Sequence, residues 1–88
     1  MGRSPKACFY VYVLRSLRNK KRYVGYSARP PLDKLTEHNM GATRWTRQNR
    51  PFVLLHTEEF GSSTEARKRE LFLKSGKGRQ LLDEMFRN

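Results

Sequence analysis

The chain reads as a small α+β domain, a three-stranded antiparallel sheet flanked by helices in the order β-β-α-β-α-α. Three observations carry this. Residues 8–14 and 22–27 are rich in β-branched and aromatic side chains and are separated by a short polar stretch, the pattern of a hairpin. Residues 52–60 repeat that apolar pattern just after a proline. Pro30-Pro31 and Ser62-Ser63-Thr64-Glu65 are helix-start signals, one of the proline kind and one a capping box. At 88 residues the chain has room for one domain with a limited core.

Taken in order, residues 1–7 are a basic lead-in expected to be flexible, ahead of a single domain over 8–88. The run Cys-Phe-Tyr-Val-Tyr-Val-Leu predicts a first strand over 8–14, covered on both faces. Strand alternation then sets Tyr10, Tyr12 and Leu14 on one face and Phe9, Val11 and Val13 on the other. Cys8 opens this apolar pattern and is expected to be a buried structural cysteine. Ser16 to Lys21 forms the hairpin loop, and Arg22 to Ser27 returns with Tyr23 and Gly25 on one face and Val24 and Tyr26 on the other. A glycine inside a strand marks either a bulge or a close approach to the backbone.

Pro30-Pro31 begins a helix with Leu32 and Leu35 as its apolar stripe, Lys34 and His38 one turn apart on one face, and Gly41 at its end. Residues 42–50 read as a polar loop with Trp45 in its middle, and residues 52–60 as the third strand. The capping box starts a second helix that ends near Ser75-Gly76, and residues 80–87 form a short last helix. On the second helix Glu70 lies between Ala66 and Leu73, close to the apolar stripe, so its carboxylate needs a partner, either a metal ion or an arginine.

With 19 Lys and Arg against 8 Asp and Glu, the formal net charge of +11 points to a polyanionic partner. Nucleic acid fits best, because counterion release from phosphates rewards many dispersed cations, whereas a membrane surface calls for a strongly amphipathic helix. One cysteine excludes an intrachain disulfide and a thiolate-rich zinc site. With neither a signal peptide nor an apolar run of membrane length, the expected location is the reducing cytoplasm. Arg44, Trp45 and Arg47, together with Lys77 and Arg79, are the candidate nucleic-acid-binding residues. Trp45 serves there either as a base-stacking platform or as a loop anchor.

Two tripeptides separated by ten residues, Tyr10-Val11-Tyr12 and Tyr23-Val24-Gly25, stand out. They are followed in order by Leu35-Thr36-Glu37-His38-Asn39, Arg50-Pro51-Phe52, Ala66 through Glu70, and Leu73 through Arg79. In these stretches the chain resembles the GIY-YIG nuclease superfamily, and closely its small stand-alone bacterial branch. The resemblance implies a GIY-YIG-like catalytic domain that hydrolyses DNA phosphodiester bonds, structure-selectively in repair or recombination, on DNA that is branched or damaged. It also implies one divalent cation, Mg²⁺ or Mn²⁺, on Glu70. Tyr12 and Tyr23 match the two motif tyrosines, with Tyr12 favoured as general base, and His38 either assists or is an exposed helix histidine.

One departure stands out. The family's phosphate-holding arginine precedes the histidine by four residues, where this chain has Lys34, a point charge without a planar fork. Arg29, in the segment just before the helix, is the candidate substitute. The asparagine that larger members carry on the last helix has no counterpart, Asn88 being simply the last residue. Two other functions stay open: a catalytically weak or inactive nucleic-acid-binding module on the same scaffold, and a basic subunit that docks an acidic protein. A monomer is the expected state.

Overall fold

The computed structural model describes residues 8–87, so the lead-in expected to be flexible over residues 1–7 lies outside the described residues. Strand β1 (Phe9–Ser16) runs between β2 (Arg22–Ser27) and β3 (Phe52–Phe60), antiparallel to both. β1 outlasts its predicted end at Leu14, because Arg15 pairs with Arg22 on one side and Val53 on the other, and Ser16 pairs with Phe52. Cys8 sits just ahead of the strand, half-buried rather than buried within it.

The predicted alternation sorts the core into two layers. Val11, Val13 and Val24 meet Ala66 and Leu73 of α3 (Ser63–Lys74) and Leu82 of α4 (Gly76–Met85). Tyr12, Leu14 and Phe52 form a second cluster with Tyr23, Leu54, and Leu35 of α1 (Pro31–Asn39). Each fully buried aliphatic side chain contributes roughly 1.5–3 kcal/mol. Leu32, expected in the α1 stripe, is 64% exposed, so Leu35 alone of the two leucines packs against that core.

Helix α1 starts at Pro31, where a missing N–H costs nothing, and stops at Met40 and Gly41, whose φ of 77° is the left-handed conformation. The Asn39 side chain fastens its end to β3, donating to the Phe52 carbonyl at 3.2 Å and accepting from the Phe52 N–H at 2.6 Å. The predicted polar loop 42–50 is instead mostly helix, α2 (Arg44–Asn49). Thr43 caps it by accepting from the Thr46 N–H, while the Thr46 hydroxyl accepts from the Thr43 N–H, a capping box with Thr at both ends.

At α3 the Ser62 half of the predicted capping box is formed, its hydroxyl accepting from the Glu65 N–H. α4 begins at Gly76, four residues before the predicted start at Gln80, with the Ser75 hydroxyl capping Gly78. Of the two glycines there, Gly78 is needed for space: a Cβ on it would stand 2.0 Å from the Phe72 carbonyl oxygen of α3, whereas one on Gly76 would meet nothing within 4 Å. Among the described residues no helix is long and apolar enough to cross a membrane.

Candidate active site

Because β1 and β2 pair with Tyr12 opposite Gly25, the phenol of Tyr12 lies over a strand position that has no side chain. A Cβ on Gly25 would meet the Tyr12 hydroxyl at 2.6 Å and its Cζ at 2.7 Å. Of the two readings of this glycine, the close approach is the correct one: the β1–β2 register runs unbroken through it. Tyr12 is thereby buried to 2% exposure with its hydroxyl directed along the sheet toward Tyr23 and His38.

Tyr12 and Tyr23 converge from different strands, their ring centroids 6.2 Å apart. His38 completes the group, its Nε2 lying 3.4 Å from the Tyr12 hydroxyl and its ring 4.8 Å from that of Tyr23. It is 8% exposed, not the exposed helix histidine that was one of its two expected readings. Its other ring nitrogen, Nδ1, is buried without a hydrogen bond, so either tautomer leaves one nitrogen unsatisfied, a cost that structural histidines avoid.

Burial holds the His38 pKa below the ordinary histidine value, with the Lys34 charge adding to the effect and Glu37 opposing it. The ring is therefore neutral near neutral pH and can take a proton. Tyr12 shifts the other way. Burial raises its pKa above the usual phenol value, and Tyr23, Glu70 and Glu37 raise it further, so it rests as a neutral phenol.

Glu70 comes from α3, in the other layer, and is 6% exposed, as its place beside the apolar stripe required. Its carboxylate pairs with a lysine as well as an arginine: Lys74 Nζ donates to Oε2 at 3.0 Å, one helical turn on, and Arg67 forms an ion pair with Oε1. Arg67 Nε stands 3.6 Å from Oε1, too far for a hydrogen bond, and Oε1 is buried with none. A buried, unsatisfied carboxylate oxygen suits a hard divalent cation, which takes oxygen ligands and retains several waters. Among the described residues no three His, Cys, Asp or Glu side chains cluster, so an ion here would rest on the single carboxylate of Glu70.

The two clamp candidates meet on one carboxylate. Lys34 donates to Glu37 Oε1 at 3.1 Å, and Arg29 pairs with Glu37 Oε2. This double pairing pulls the Glu37 pKa below the usual carboxylate range. Glu37 was not singled out in the sequence, although it stands between Lys34 and His38 on the same helix.

Trp45 proves to be an anchor with an open side. It stacks on Phe52 at 5.6 Å and lies 5.4 Å from Tyr23, yet keeps 37% of its surface exposed. Arg44 and Arg47 are both exposed, and Arg47 bends back to donate to the Gly41 carbonyl at 3.1 Å, bracing the α1–α2 turn. Lys77 and Arg79, expected in a connection after the second helix, are exposed on the first turns of α4, and Arg79 but not Lys77 lines the cleft that opens beside Tyr23. Lys74 also lines that cleft and was missed, although its i, i+4 relation to Glu70 is the spacing of a helical ion pair.

Comparison with known proteins gives the family and the fold. The model of the GIY-YIG catalytic domain matches residues 8–83. A UPF0213 protein of Enterococcus faecalis is 39% identical over 72 residues, spanning 78% of this chain and 80% of that protein. One of Natronomonas pharaonis is 39% identical over 67 residues, 75% of this chain and 76% of its own. The solution NMR structure of a UPF0213 protein from Bacillus halodurans superposes with a TM-score of 0.53 at 28% identity, covering 89% of this chain and 84% of that one. With both tripeptides, the helix carrying His38 and the helix carrying Glu70 inside the matched segment, the chain belongs to the GIY-YIG catalytic domain family.

Proposed function

We propose that residues 8–88 act as a monomeric, metal-dependent DNA endonuclease, with Tyr12, Tyr23, Lys34, His38 and Glu70 as its catalytic group. The observation that carries this is the convergence of a neutral buried histidine on the Tyr12 phenol, with the buried carboxylate of Glu70, one oxygen unsatisfied, near enough to raise the Tyr12 pKa. Mg²⁺ or Mn²⁺ on Glu70, when bound, supplies charge stabilisation for the phosphate and the departing oxygen.

The chain's own groups do the rest. Tyr12 takes a proton from the attacking water as its own passes to Nε2 of His38, so no free phenolate need accumulate. The water oxygen bonds to phosphorus, the bond to the leaving deoxyribose oxygen breaks, and that oxygen takes a proton from solvent. Tyr23 orients Tyr12, and Lys34 holds a phosphate oxygen. Branched and damaged DNA, the forms met in repair and recombination, are to be tried beside linear duplex.

A second reading has its own support. Glu70 already has a cationic partner in Lys74, and Lys34 lacks the fork of an arginine, as in a binding module that has lost catalysis. Glu70→Gln separates the two. Cleavage by the wild type should require Mg²⁺ or Mn²⁺ and drop by about 10²–10³ in the variant, while DNA affinity and melting temperature hold. Equal cleavage by both proteins removes the proposed site, and a wild type that binds but never cuts gives way to the binding module.

A further inference from the structure

Beyond Tyr23 an open cleft of about 910 Å³ runs between the β1–β2 hairpin and α4. One wall is the end of β1, the turn and the start of β2, carrying Arg15, Lys20, Lys21 and Arg22; the other carries Arg79 and Arg87. Counting Lys74 at the mouth, seven of its fourteen lining residues are Lys or Arg, against one acid, Asp83, which pairs with Arg22. Lys20, Lys21, Arg79 and Arg87 are exposed along it. The floor is apolar, with Val24, Leu73, Leu82 and Phe86.

The basic wall is fixed in place. The Ser16 hydroxyl donates to the Asn49 carbonyl at 2.5 Å and accepts from the Arg18 and Asn19 N–H groups. Asn19 Nδ2 donates to Asn49 Oδ1 at 2.5 Å. These bonds tie the turn bearing Lys20 and Lys21 to α2, the helix that carries Trp45 and borders the site.

We infer that this cleft holds the phosphodiester backbone of the DNA strand beyond the scissile phosphate. Cations on both walls suit a ligand with repeated negative charge, an apolar floor suits sugars and base faces, and two rings, Tyr23 and Trp45, line the end next to the site. The cleft begins at Tyr23 and at Lys74, the partner of Glu70, so a strand leaving the site enters it directly. This rests on the nuclease reading for its polarity and on the cleft's own charge for its occupant.

The test compares two charge-matched reversals, Lys20→Glu with Lys21→Glu in the cleft, and Arg18→Glu with Lys68→Glu outside it. Affinity for one DNA oligonucleotide is measured without divalent metal across a salt series, after melting curves confirm folding. The cleft pair should bind at least about tenfold more weakly and flatten the slope of log K against log salt by about 0.7–0.9 for each phosphate no longer neutralised. The outside pair should lose less than threefold with its slope unchanged. Equal losses from both pairs overturn the cleft. If the cleft pair alone is impaired and no cleavage is ever found, the cleft stands and the nuclease reading falls; cleavage with a dispensable cleft is the reverse.

Discussion

At Gly25 a missing atom places the Tyr12 phenol, and this makes a sharp prediction. Gly25→Ala puts a methyl where the Tyr12 hydroxyl and Cζ now lie, and the Tyr12 ring is buried. The expected cost is about 1–3 kcal/mol of stability from overpacking. A displacement of about 1 Å at the reacting group lowers cleavage by on the order of 10². Wild-type cleavage by this variant would mean that Tyr12 has no fixed role. A second prediction concerns the clamp. Lys34 and Arg29 share Glu37, but Lys34 is on the helix face that carries His38 and lowers its pKa. Lys34→Ala should therefore slow single-turnover cleavage by about 10², Lys34→Arg should accelerate it, and Arg29→Ala should have the smaller effect. If Arg29→Ala does the greater damage, the clamp is Arg29. The tyrosines, His38 and Glu70 were singled out in the sequence by the family resemblance of the stretches that carry them, helical periodicity adding only that Glu70 lies beside the apolar stripe. Glu37 and the Lys74 pairing were not, since an acid among bases at helical spacing reads as an ordinary solvated pair.

The strands were legible to within two residues because their β-branched and aromatic runs are bounded by polar stretches, β1 being buried on both faces, and α1 and α3 because proline and serine announce them. α2 escaped notice for a physical reason. It has six residues, all polar but Trp45, and its capping box closes on Thr46 instead of the acid or amide usually sought. Its stability comes from Thr43, from Thr46 at 1% exposure and from Trp45 stacked on Phe52. Thr43→Ala should cost about 0.5–2 kcal/mol. Because Trp45 is the single tryptophan, its emission should shift to the red as α2 loosens over the site. An unchanged melting temperature and spectrum would show that the cap contributes nothing. The early start of α4 was hidden by Gly76 and Gly78, which suggest a break in sequence and, at Gly78, make room for a close helix approach in space.

For the molecule as a whole, +11 on 88 residues sets two salt responses against each other. Repulsion among cations weakens the folded state at low ionic strength, while attraction to phosphates is strongest there. Raising salt from about 0.01 to 0.15 M, which shortens the screening length from about 30 to 8 Å, should raise the melting temperature and lower DNA affinity in the same samples. A melting temperature that falls with salt would show that the ion pairs outweigh the repulsion. The central place of β1 has a further consequence, in the time the chain takes to fold. Tyr12 and Tyr23 are near neighbours in sequence, but the strand that carries Tyr12 is incomplete until β3 pairs along its far edge, Phe9 with Phe60 and Ser16 with Phe52. Closing so long a loop comes before any of its pairings can repay the lost entropy. A nascent chain that stops before residue 52 therefore holds both tyrosines and the histidine and still has no site, and competence arrives at once, with the last strand and the helix behind it.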